Sequence, residues 1–155
     1  MGDVLFYHLT RSPLPSVLAM LLEKSLDRGW RVAVRARDTA RLETLDAALW
    51  LGPEERFLPH GLAGSTHDAR QPVLLTTAPT APEDRACLVA VDAADVTAEE
   101  VSALARTCIV FDGGDADQVA HARGQWKALT AAGATAQYWS EESGKWEKQA
   151  QSGGG

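Results

Sequence analysis

Cysteine is scarce in this sequence: 155 residues contain only Cys87 and Cys108, with no metal-ligand spacing between them. Each lies in an apolar stretch, so both read as buried thiols of a protein in a reducing cytoplasm. No run approaches the ~20 uninterrupted apolar residues of a membrane span. The opening MGDVLFYHLTRS lacks the basic region and long apolar run of a signal peptide. G-x-x-x-x-G-K-[ST] does not occur, and neither does the G-x-S-x-G nucleophile elbow. The four histidines, His8, His60, His67 and His121, show no H-x-H or H-x-x-x-H spacing, so no metal centre is expected. An excess of positive charge is missing too. A net charge of −6 argues against a protein whose main task is gripping phosphate backbones, although it is compatible with a local basic patch.

What is present suffices for one ordinary domain. The hydrophobic fraction is 45% and the charged fraction 23%, which excludes wholesale disorder. A chain of this size buries roughly 70% of its unfolded surface without metals or disulfides. Val4–Leu9 is short, apolar and aromatic, as a buried strand is. Ser12 then reads as an N-cap with Pro13 at the first helical position, and Leu14, Leu18, Leu21 and Leu22 form one apolar stripe. Gly29 follows Arg28 as a C-cap, and residues 31–36 read as a strand. A second helix starts at Asp38 and places Leu42, Leu45 and Leu49 on one face before Trp50. Residues 51–72 read as a long surface loop with one short strand, a feature that favours binding. Val73–Thr76 and Cys87–Val91 are strand candidates, and Thr97 and Glu100 have capping-box spacing for a short helix to about Arg106. Cys108–Phe111 is a buried strand, Asp115–Ala132 a helix closed by Gly133, and Ala134–Trp139 the last strand. The alternation predicts an α/β domain of three α/β/α layers with a mainly parallel central sheet, over residues 1–146. Residues 147–155 are expected to be a flexible polar, Gly-rich tail.

Three constellations stand out along this frame. Asp112-Gly113-Gly114 ends a strand, where α/β ligand sites usually lie. It reads as a metal or phosphate turn, or as a strand-to-helix turn needing φ > 0, and the second reading is preferred. The stretch ending in Leu49-Trp50 and continuing to Phe57-Leu58-Pro59-His60 sets large rings on a loop beside a helix end. Such rings anchor a protein partner or cover the edge of the sheet, and spacing alone leaves both open. Around Arg123-Gly124-Gln125-Trp126-Lys127, helical geometry puts Val119, Arg123, Trp126 and Thr130 on one face with Lys127 on its flank. Ala122 and Leu129 point to the core, so Trp126 sits between a buried stripe and a basic one. This suits an acidic peptide, or simply a solvated face with a half-buried tryptophan. No catalytic residues and no cofactor are inferred.

Several stretches resemble the chi subunit of bacterial DNA polymerase III holoenzyme. They are FYHL, RVAVRA, LDAALW with FLPHGLAG, IVFDGG, ARGQWKALTAAG and QYWSEESGKW, in order from about Phe6 to Trp146. The resemblance implies a non-catalytic accessory subunit of a DNA-directed DNA polymerase, tied to the clamp loader through the small psi subunit. It implies a second partner, the acidic, phenylalanine-ended tail of single-stranded-DNA-binding protein, so contact with DNA is indirect. The psi contact would involve Trp50, Phe57, Pro59 and His60. The tail contact would involve Arg123, Trp126 and Lys127, with Val119 and Thr130 where the family carries further basic residues. Asp112 stands at an apolar position of the family, where its charge is expected to repel the tail. A reading from a different class is a small nucleotide-dependent enzyme with its site near Asp112–Gly114.

Overall fold

Alternation along the first strand, β1 (Asp3–Leu9), sends Val4 and Phe6 into one core and Leu9 into another, on opposite faces of the sheet. The computed structural model describes residues 3–10, 13–50, 60–62, 73–77, 85–141 and 146–152. After β1 come α1 (Leu14–Asp27), β2 (Val32–Arg35), α2 (Thr39–Trp50), β3 (His60–Leu62), β4 (Val73–Thr76) and β5 (Cys87–Ala90). They are followed by α3 (Ala98–Ala103), β6 (Arg106–Asp112), α4 (Ala116–Ala131), β7 (Thr135–Ser140) and β8 (Glu147–Ser152). Among the described residues the strands form one sheet in the order β3-β4-β2-β5-β6-β1-β7-β8. Every pairing is parallel except β7 with β8.

Two apolar cores flank the sheet. Val17, Leu18, Leu21 and Leu22 of α1 and Leu42 and Leu45 of α2 pack on one face with Val34, Leu75 and Val110. Val101 of α3 and Ala122 and Leu129 of α4 pack on the other with Phe6, Leu88 and Phe111. This is the three-layer α/β/α arrangement expected from the alternation of elements. Cys87 and Cys108 are free and buried, on adjacent strands but two residues out of register. A hydrogen bond between the two thiols lowers the Cys87 pKa and raises that of Cys108, which burial raises further.

The ends of elements differ from expectation in physically simple ways. Pro13 is the N-cap of α1 rather than its first residue, with no side-chain cap bond, and Pro15 takes the tolerated early position. Ser12 lies outside the described residues. Asp38 does cap α2, accepting the Arg41 N–H at 2.8 Å. Thr97 and Glu100 form the full capping box, but α3 stops at Ala103 because Leu104 turns to an extended conformation and buries its side chain. Glu100 has a second task, gripping the buried Arg35 guanidinium through both carboxylate oxygens at 2.9 and 2.6 Å. The largest difference is at the end of the chain. Residues 147–152, expected to be a mobile tail, pair antiparallel with β7 as β8.

Candidate functional site

Asp115 caps α4, its Oδ1 accepting the Asp117 and Gln118 N–H groups at 3.0 and 3.2 Å. Gln118 returns a bond from its own side chain, accepting the Asp112 N–H at 2.9 Å. Farther along, Gln125 accepts the Val96 N–H at 2.7 Å, and His121 meets Asp95 at 2.7 Å. These contacts fix α4 in rotation and translation against the loop before α3. Ala122 and Leu129 are thereby held in the core, and Trp126 lies half-buried at the helix edge.

Beneath that edge the sheet supplies a floor of rings. His8 of β1 and Phe111 of β6 are partners in the parallel register, and so are Phe6 and Tyr138 of β7, so all four project on one side. Trp126 meets Phe6 edge-on at 5.3 Å and Tyr138 at 6.3 Å. His8 stacks on Phe111 at 4.9 Å, and its Nδ1 shares a hydrogen bond with the Tyr138 hydroxyl. The rings line a half-open cavity of about 330 Å³, whose lining includes Val119, Arg123, Lys127 and Ala150 of β8. Arg123 and Lys127 are exposed, and neither forms an ion pair among the described residues. An apolar slot with two unpaired cations on one helix suits a chain end that carries both a ring and carboxylates.

Of the residues singled out on α4, Val119, Arg123, Trp126 and Lys127 are brought together here. Thr130 is not. Its hydroxyl donates back to the Trp126 carbonyl at 2.7 Å, one turn of helix away from the cavity. Sequence reasoning missed His8, Phe111 and Tyr138. Period-two alternation along FYHL, which puts Phe6 and His8 on one face, was the available clue.

Asp112 also requires a correction. Alternation on β6 turns Phe111 toward the ring cavity and Asp112 away from it, so the charge expected to repel a tail there is not part of the cavity lining, which Phe111 supplies. Asp112 instead lines a crevice of about 460 Å³ at the carboxyl ends of β1 and β6, with Asp92, Asp115 and Arg41. Among the described residues, three carboxylates stand against one guanidinium in that crevice, a balance that disfavours phosphate. Among the described residues, no three His, Cys, Asp or Glu side chains are grouped as metal ligands. Gly113 lacks the positive φ expected of it. It is needed for space, because a Cβ would fall 2.1 Å from the His8 ring and 2.8 Å from the Leu9 carbonyl oxygen.

The second sequence-derived surface lies mostly outside the described residues. Phe57 and Pro59 fall there, the side chain of Trp50 is not described at the end of α2, and His60 is placed only as the first backbone unit of β3. No helix in the described residues is long and apolar enough to cross a membrane.

Comparison with known proteins gives two findings. Residues 1–137 match the family described as DNA polymerase III chi subunit, HolC. A probable DNA polymerase III subunit chi of Rickettsia prowazekii (strain Madrid E) is 24% identical over 90 residues, covering 58% of this chain and 54% of that protein. The chain thus spans about half the length of that curated relative.

Proposed function

The chain belongs to the DNA polymerase III chi subunit family, and from that premise we propose that it is a non-catalytic adapter of the replicase. It links the clamp-loader assembly to single-stranded-DNA-binding protein by holding that protein's acidic, phenylalanine-ended tail in the cavity beside Trp126. The observation that supports this reading most is the pairing of an apolar ring cavity with Arg123 and Lys127 on one rim. The terminal phenylalanine ring enters among Phe6, Phe111 and Trp126, and the carboxylates face the two cations. Ring burial contributes a part of the affinity insensitive to salt. The exposed charge pairs contribute a part that falls as ionic strength rises, since screening acts within ~8–10 Å. With two cations, the complex is expected at micromolar to tens of micromolar, roughly −7 to −8 kcal/mol.

The test is a titration of a labelled acidic peptide ending in phenylalanine, followed by fluorescence anisotropy. Saturable binding that weakens in both Trp126→Ala and Arg123→Ala supports the assignment. Unchanged affinity in both variants removes it. The clamp-loader contact is assigned to Trp50, Phe57, Pro59 and His60, with psi or an equivalent component as partner. Phe57→Ala should weaken that association by ~2 kcal/mol or more while the thermal transition stays cooperative. Loss of cooperativity would place Phe57 in the core instead.

A further inference from the structure

A second depression lies on the opposite side of β1, in a trough of about 570 Å³ between α1 and strands β1, β6 and β7. Four aromatic rings line it, Tyr7, Trp30, Trp139 and Trp146, each half-buried with part of its surface open to solvent. Trp146 meets Tyr7 edge-on at 5.4 Å, and the Trp139 indole N–H donates to Gln137 at 3.1 Å. Among the described residues, three cations share the lining, Lys24, Arg28 and Arg106, against one carboxylate, that of Asp27. The guanidinium carbons of Arg28 and Arg106 lie 5.1 and 5.4 Å from the centroid of Trp30. None of the three cations forms an ion pair among the described residues, and the Arg106 Nε is buried without a hydrogen-bond partner. On a chain of net charge −6, this is a local reversal of sign.

Unpaired cations call for an anionic partner, and recessed indoles call for flat apolar faces. We propose that this trough binds single-stranded nucleic acid, with bases against the indoles of Trp139 and Trp146 and phosphates on Lys24 and on Arg28 and Arg106, which Trp30 props from beneath. A single strand offers one ring and one negative charge at every step, which is the combination the lining repeats. A duplex keeps its base faces stacked and offers recessed rings nothing. An acidic peptide brings charge without a ring at each residue. The site is separate from the Trp126 cavity, since Leu5 and Tyr7 face the trough whereas Phe6 and His8 face the cavity.

The probe is a fluorescein-labelled oligothymidylate of roughly a dozen nucleotides, within the ~4–16 that one small binding fold covers. It is titrated against the full chain by anisotropy at several salt concentrations. Saturable binding is expected, with log affinity falling against log salt at a slope of about −2, from ~0.7 per phosphate and three cations. Arg28→Glu, at an exposed helix end, should weaken binding roughly tenfold or more and flatten that slope. Trp139→Ala should weaken it by about tenfold at every salt concentration. Lys127→Ala, on the opposite face, should change neither quantity. Circular dichroism melts establish that each variant is folded. Absence of saturable binding, or binding untouched by both trough variants, overturns the proposal. So does a labelled acidic, aromatic peptide that binds and is lost in both trough variants while the oligonucleotide does not bind.

Discussion

One strand feeds two unlike surfaces. Phe6 and His8 of β1 floor a narrow cavity in which rings pack on rings and both cations come from α4. Tyr7, one residue away, walls a wider trough in which the cations come from α1 and β6 and two of them lie beside an indole. Strand order explains the difference. Helix α4 connects β6 to β7, which flank β1, so it crosses β1 directly and roofs the rings beneath it. Helix α1 connects β1 to β2, three places away, so it leaves β1 and crosses over β6 and β5. Topology decides which helix borders each depression, and side chains then decide what each can hold.

Variants that act on one side only test this separation. Gly113→Ala should have the largest effect, because its new Cβ collides with the His8 ring. Overpacking of this kind costs up to ~3 kcal/mol of stability, read from thermal or denaturant unfolding. It should weaken peptide binding and leave oligonucleotide binding alone, so a parallel loss of both would show the two faces to be coupled. Trp126→Ala is expected next, with ~2 kcal/mol lost from peptide affinity at every salt concentration. Lys127→Ala should cost ~0.2–1 kcal/mol and reduce the salt dependence of the same titration. Asp112→Val should change peptide affinity least, by under ~0.5 kcal/mol, since its side chain faces the other crevice. A marked tightening in that variant would mean that Asp112 reaches the bound peptide after all.

Periodicity made the fold readable and half of the site with it. The leucine stripe of α1, the capping box at Thr97, the glycine after α4 and the buried runs of β4 and β5 each carry a local physical cause, and each appears where expected. On α4 the 100° step placed Trp126 between core and solvent and put Arg123 near it. The other half of the cavity depends on pairings that no local pattern states. His8 and Phe111 stand 103 positions apart in the chain and are neighbours only through the β1–β6 register. Thr130 shares the helical face of Arg123, but its hydroxyl is spent on its own backbone. Strand β8 was illegible for another reason. EKQAQS has neither alternation nor β-branched residues, and it becomes a strand because β7 offers it an unpaired edge.

That edge bears on self-association. Strand β7 reads TAQYWS, two aromatic rings in a β-prone segment, and without a neighbour its free N–H and C=O groups would be a template for another chain. Strand β8 occupies those groups and becomes the border in its place, a polar strand whose residues Lys148, Gln149 and Gln151 are exposed. A chain shortened after Trp146 would retain the helices and both cores yet carry an adhesive border. Its fate at high concentration would then be set by self-association rather than by unfolding.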